Sequence, residues 1–266
     1  MTTITAARIA SAGLDWLLPT WPAATNVHGL VTTRQGGVSG GSTASMDLGP
    51  ANLESLDDAS RIAVLANRAR VAALLPSAPV WLEQVHGIKV IVIDDRNVGS
   101  ARTRPPIADS VVTRLADVPL AIRVADCLPV LIADNAGTSV AAAHAGWRGL
   151  AAGVLEATIQ RMQASPASLV AWLGPAIGPR AFEVGDDVRE AFCRDDVDAR
   201  ASFVQRSPGK WMADLPALAR RRLAAAGVRQ VTGGEHCTLS DASRFFSYRR
   251  DRTTARMGAF VWRSAQ

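Results

Sequence analysis

Three residues carry donor atoms suited to a soft metal site or a nucleophilic pair: His86 in WLEQVHG, Cys127 in RVADCLPV and His144 in AAAHAGWRG. The chain of 266 residues has only four histidines and three cysteines, so each one narrows the chemistry. A cysteine facing a histidine admits two readings. In one, His144 activates Cys127 as a nucleophile, the neighbouring imidazolium lowering the thiol pKa. In the other, Cys127 and His144 hold a zinc ion with a third ligand, leaving the fourth position open for water. His86 is the natural third ligand because QVHG places it at a strand end, and a thiolate with imidazoles suits Zn(II).

The elements that must position these residues are legible in outline. DNAG, residues 134 to 137, is a turn signal between two apolar runs. A turn centred between Asn135 and Ala136 pairs Ala133 with Thr138 and Cys127 with His144, which puts the opposed Cβ atoms about 4.5–5.5 Å apart. Pro129 disturbs regular pairing nearby. After His144 the glycine of GWRG permits close approach, and a helix is expected from near Gly149, its first N–H groups open to an anion. Arg148 adds a planar cation for phosphate or carboxylate. Arg34, beside Gly36 and Gly37, is a second phosphate candidate, and Gln84 and Arg249 complete the candidate substrate contacts. Glu83, Asp109 and Asp126 are the acids that can protonate a leaving base or orient a metal ligand.

Farther out, TTRQGGVSGGS reads as a flexible loop, and residues 59 to 75 as an amphipathic helix. PVWLEQVHGIKVIVID reads as two short strands around His86 and Gly87, and NVGSARTRPPIADS as a surface loop. Residues 149 to 163 form one expected helix with Leu150, Val154, Leu155, Ile159 and Met162 on a single face. LVAWL, a helix over LPALARRRLAAAG, and a last strand MGAFVWR follow. Hairpins are more evident than strict β-α-β alternation, so the expected class is α+β in a single domain over residues 1–266.

Composition narrows the function. Apolar residues make up 48% of the chain, which suits a globular domain with a sizeable core. The net charge of +5 is mild and the arginines are scattered, so no basic stripe for nucleic acid is expected. No apolar run reaches the length of a membrane helix, and the N-terminal segment lacks the pattern of a signal peptide. Three separated cysteines suit a reducing cytoplasm, the expected location.

TTRQGGVS, LANR, WLEQVHG, ADS, ADCLPVLIAD, HAGWRG, GPAIGP, FEVG, HCT and RFFSYRRD occur in this order. Together they resemble the laccase-domain family, also called the multicopper polyphenol oxidoreductase family, over residues 28 to 262. The resemblance implies a layered α/β/β/α sandwich with mixed sheets. It implies zinc held by His86, Cys127 and His144, and substrates that are purine nucleosides and phosphate: phosphorolysis of adenosine, inosine and 5′-methylthioadenosine, with deamination of adenosine. A bacterial branch is associated with removing serine from the precursor UDP-MurNAc-L-Ser, which a cysteine hydrolase reading of Cys127 and His144 would suit. Two departures, Ser240 in HCTLSD and Ala255 in TTARMG, lie away from the trio. Copper oxidase chemistry is disfavoured, because a blue-copper plus trinuclear site needs about ten histidines. A monomer is expected, with no nucleic-acid or membrane partner.

Overall fold

The computed structural model describes residues 6–265. Residues 1–5, which open the segment read as lacking a signal peptide, lie outside the described residues. The centre is a six-stranded mixed sheet, its strands ordered from edge to edge as 230–233, 169–173, 128–134, 140–145, 110–113 and 90–93. Its strands are β2 (Val90–Ile93), β3 (Ser110–Thr113), β5 (Leu128–Asp134), β6 (Val140–Ala145), β7 (Leu169–Leu173) and β11 (Gln230–Gly233). The β2/β3 and β7/β11 pairs are parallel and the rest antiparallel. Strands β5, β6 and β7 are buried along their whole length, because the sheet is covered on both faces.

A second sheet of β1 (Val27–Val31), β12 (Met257–Arg263) and β4 (Leu120–Val124) covers one face. Alternation along these strands serves both sides of the smaller sheet. Val31, Ile122, Val124 and Ala259 point at the central sheet, into a core with Leu131, Ala133 and Ala142. Leu30, Ala121, Phe260 and Trp262 point outward, into a core with Val71 of α2 (Asp58–Ala72) and Ile9 of α1 (Ala6–Ser11). The other face of the central sheet is covered by α4 (Trp147–Ala152), α5 (Val154–Met162), α6 (Asp186–Cys193) and α7 (Leu215–Ala225). Helix α3 (Val98–Thr103), helix α8 (Tyr248–Asp251) and a small sheet of β8 (Glu183–Gly185), β10 (Lys210–Ala213) and β9 (Phe203–Ser207) complete the chain. The order helix, sheet, sheet, helix is the expected α+β layering.

Five local expectations are corrected. The β5–β6 turn lies two residues farther along in pairing, with Ala133 opposite Val140 and Pro129 opposite His144. The cause is Asp134: its Oδ1 accepts the N–H of Thr138 at 2.7 Å and of Ser139 at 3.1 Å, which widens the turn into a loop over 135–138. Of the two strands expected around His86, only β2 forms, since Val80 and Glu83 make isolated bridges. The loop after residue 97 contains α3. The single helix over 149–163 is two, split at Gly153, whose φ of 103° ends α4, and α4 starts at Trp147 rather than near Gly149. The glycine-rich segment is tied down rather than loose: Asn67 of α2 donates to Ser39 Oγ at 3.0 Å and to the carbonyls of Ser45 and Asp47 at 2.9 and 2.8 Å, and it accepts the N–H of Val38 at 2.8 Å.

Candidate metal centre

His144 lies near the end of β6 and is buried at 3% exposure. Cys127 immediately precedes β5. The observed register puts Pro129 opposite His144, so Cys127 is its diagonal neighbour on the same side of the sheet. His86 comes from the turn between the Glu83 bridge and β2, with φ of 62°, a left-handed conformation uncommon for a residue with a side chain. Its Nε2 is 3.7 Å from Cys127 Sγ, and the His86 and His144 rings meet edge to face at 4.8 Å between centroids. One donor atom from each of the three residues lies within 4.8 Å of the other two.

A tetrahedral zinc site has ligand–ligand edges of about 3.5 Å for sulfur–nitrogen pairs, so the Cys127–His86 spacing fits such a site. The space around it also fits. A Cβ added at Gly146 would meet Cys127 Sγ and His86 Cδ2 at 3.0 Å each, so only glycine leaves the donors clear there. A Cβ at Gly149 would meet the Gly87 carbonyl at 2.8 Å, so α4 packs on the His86 turn through a bare backbone.

Asp109 organises the whole centre. This fully buried carboxylate accepts from His144 Nδ1 at 2.8 Å, which points the other imidazole nitrogen at the metal position. It also accepts the backbone N–H groups of Val85, His86 and Gly87 at 3.1, 2.8 and 2.7 Å, and these bonds hold His86 in its left-handed turn. Burial by itself pushes the Asp109 carboxyl up. The hydrogen bond from His144 and the N–H groups of Gly87 and Val85 outweigh it and hold the carboxyl below its usual range. Burial likewise opposes charge on Cys127 and His144. Their mutual attraction wins, with His86 helping the thiolate and Asp109 the imidazolium, which brings the thiol down to about 6 and the imidazole up to about 9. Both shifts favour a thiolate facing an imidazolium. A cation displaces that proton and takes a ligand that is already ionised.

The trio opens into a cavity of about 580 Å³, a usual size for a small-molecule site. Gln84, Arg148 and Arg249 line it; Arg34 does not. The Arg34 guanidinium is held by the carbonyls of Ala44 and Ala242 and stacks 4.8 Å from the Phe246 ring centroid. Gln84 spends its amide on the backbone of Arg123, accepting its N–H and donating to its carbonyl, both at 2.9 Å. Arg148 is exposed, and its guanidinium lies 4.4 Å from the Trp147 ring centroid and has no hydrogen bond among the described residues. Arg249 donates to the Glu183 carbonyl at 3.0 Å and stacks on Phe182.

The three candidate acids separate cleanly. Asp109 is saturated. Asp126, with φ of 89°, accepts the Thr238 hydroxyl at 2.6 Å and the Arg249 N–H at 2.7 Å, so both its oxygens are engaged. Glu83 lines the cavity, and its carboxylate has no hydrogen bond among the described residues. Two further cavity arginines, Arg123 and Arg256, were not singled out from the sequence. The available signal was an arginine inside the apolar strand LAIRV, where β4 otherwise alternates between two buried faces.

A family model described as multi-copper polyphenol oxidoreductase laccase matches residues 28–264. A protein of Pseudomonas aeruginosa named as a purine nucleoside phosphorylase is 49% identical over 248 residues, covering 93% of this chain and 98% of that protein. The Escherichia coli protein named purine nucleoside phosphorylase YfiH is 48% identical, covering 92% and 98%. Among solved structures, a Neisseria meningitidis protein, NMB0706, superimposes with a TM-score of 0.87 at 45% identity, over 94% of this chain and 100% of that one.

Proposed function

The chain belongs to the multi-copper polyphenol oxidoreductase laccase family, and from that premise we propose that it is a zinc-dependent purine nucleoside phosphorylase, with adenosine, inosine and 5′-methylthioadenosine as substrates and a side activity as an adenosine deaminase. The observation that carries this reading is the His86, Cys127 and His144 cluster opening into a cavity with cationic and aromatic walls. Relatives from 40% to 49% identical bear the phosphorylase name. Zinc is favoured over copper because four histidines are too few for a multinuclear copper oxidase, and one thiolate with two imidazoles is a common zinc donor set.

When bound, zinc supplies a Lewis acid at the cavity floor, able to polarise a substrate oxygen or make a water more acidic. The rest falls to the chain. In phosphorolysis the bond between ribose C1′ and the purine nitrogen breaks, its electron pair leaving with the base. A phosphate oxygen bonds to C1′, and the base takes up a proton. Glu83 is the one candidate acid with a free carboxylate, so it is assigned the proton that the departing purine needs. Trp147 and Phe182 offer flat apolar faces to the base. Arg148 and Arg249 have donors to spare for the anion, and a guanidinium matches phosphate in a forked geometry. Asp109 acts through His144 and the His86 turn as a positioning residue. Deamination replaces the C6 amino group by oxygen from water and releases ammonia. The sequence lacks the H-x-E and P-C-x-x-C pattern of the zinc deaminases, so this activity would use a site independent of theirs.

A second reading has one observation in its favour. Cys127, His144 and Asp109 are arranged as nucleophile, base and orienting carboxylate, which suits amide hydrolysis of a muropeptide precursor such as UDP-MurNAc-L-Ser. The 3.7 Å approach of His86 to the sulfur favours the metal instead, since it completes a cluster of three donor atoms within 4.8 Å of one another.

The test is to incubate the metal-assayed protein with adenosine, with and without phosphate. Phosphate-dependent adenine with about one zinc per chain is the expected result, and inosine reports deamination. Cys127 should resist alkylation until a chelator removes the metal. A metal-free protein that is alkylated at Cys127 and releases no adenine would move the assignment to the hydrolase.

A further inference from the structure

The metal centre leaves the cationic wall of the cavity unexplained. Strands β4 and β12 pair with Arg123 opposite Gly258. Arg256 lies two residues before Gly258, so it falls on the same face of the smaller sheet as Arg123, in the diagonal position. That face is covered by α2, which places Arg68 beside them. The Arg68 guanidinium donates to the Leu48 carbonyl at 2.9 Å and stacks 4.6 Å from the Trp81 ring centroid. Arg123 donates to the carbonyls of Gly49 and Leu82, both at 3.0 Å, and Arg256 to those of Thr253 and Ala255 at 3.2 and 2.8 Å.

Asp47 and Glu83 are the carboxylates facing this cluster, and neither makes an ion pair with it among the described residues. Asp47 is occupied elsewhere, its Oδ1 accepting the backbone N–H groups of Gly49 and Arg256, both at 2.8 Å. Burial pushes Arg68 and Arg123 down to about 10, and Arg68 adds to the push on Arg123. Two arginines away from the cavity are paired instead: Arg222 meets Glu156 at 2.6 Å and Arg221 meets Asp196 at 2.6 Å. Gathering three guanidiniums that make no ion pair among the described residues, with only two carboxylates facing them, is unfavourable unless an anion arrives to join them. Two members, Arg123 and Arg256, line the cavity, and the Nε and second amino group of Arg256 have no partner among the described residues.

We propose that Arg123 and Arg256 form the wall of an anion subsite that takes a tetrahedral phosphate, with Arg68 behind them as the charge that raises its affinity. This rests on the phosphorylase reading for its role: the subsite determines affinity for the phosphate that enters or leaves. The shared chemistry has two sources, free inorganic phosphate and a phosphate ester on the sugar.

The test uses the zinc-loaded full chain and the variants Arg256→Gln and Arg123→Gln, each checked for metal content and thermal melting. Arg123→Gln strips donors from two carbonyls and can weaken the fold, so Arg256→Gln is the primary variant. Phosphate KM is expected to rise at least tenfold while nucleoside KM changes less than about threefold and zinc content is unchanged. Equal changes in both KM values, or none, would overturn the subsite. Calorimetric titration with inorganic phosphate, and separately with ribose 1-phosphate, distinguishes the sources and needs no turnover. If wild type binds either ligand and Arg256→Gln binds it at least tenfold more weakly, the subsite stands even where no nucleoside is cleaved, and only the phosphorylase reading falls. If wild type binds neither, the subsite is wrong.

Discussion

At one end of the cavity, His144 and the His86 turn both hang from a single buried carboxylate that accepts four hydrogen bonds. At the β4–β12 end, three guanidiniums lean on carbonyl oxygens and make no ion pair among the described residues. The first end is satisfied in every polar atom of its organising residue. The second holds charge in excess. The difference teaches what each end awaits: a satisfied frame fixes donor atoms for a cation to join, whereas cations in excess of the carboxylates facing them await an anion. A cavity charged in this way can hold metal and phosphate together without one displacing the other.

The sharpest way to break the comparison is at the metal end. His144→Ala removes a ligand and should lower kcat/KM by at least about 10⁴-fold, with zinc falling well below one per chain, since Lewis acid catalysis supplies several kcal/mol and each tenfold is about 1.4 kcal/mol. Full zinc and full rate in that variant would end the site assignment. Next comes Glu83→Gln, which keeps shape but removes the proton. A loss in kcat of about 10²-fold is expected with zinc unchanged, and a flat rate would pass the proton to another group.

Asp109→Asn tests the frame itself. The amide keeps one acceptor oxygen, so it cannot serve both His144 and the three N–H groups of the His86 turn. Metal affinity should fall about 10–100-fold and stability by about 3 kcal/mol, read by competition with a chelator and by denaturant unfolding. An unchanged chelator profile would reduce Asp109 to a fold residue. The smallest effect belongs to Arg34→Gln. Its guanidinium holds carbonyls outside the cavity, so stability should drop by about 1–3 kcal/mol while phosphate KM stays within about twofold. A large rise in that KM would place Arg34 beside the anion after all.

The trio was legible for a reason that survives an error. The hairpin pairing read from DNAG is off by two residues, yet Cys127 and His144 still share a side of the sheet. Side chains alternate with a period of two, so a two-residue slip moves an opposed pair to a diagonal one without turning either over. A slip of one residue would have separated them. The turn itself was misjudged because the capture of two backbone N–H groups by Asp134 does not show in a DNAG pattern. The break at Gly153 was equally hidden, because Leu150, Val154, Leu155, Ile159 and Met162 keep one buried face across two helices.

By itself, the sequence determined the donor set and the α+β class: residue types are local facts, and periodicity reports which face of each element is buried, whereas the layering followed only from the family resemblance. The choice among Glu83, Asp109 and Asp126 was decided only by the tertiary structure, because a carboxylate is free or spent according to which backbone groups reach it from distant segments. Thr238 and Arg249 engage Asp126 across more than a hundred residues, and the His86 turn engages Asp109. The gathering of Arg68, Arg123 and Arg256 was decided the same way. They come from a helix and two strands whose contact exists only once α2 lies on the smaller sheet.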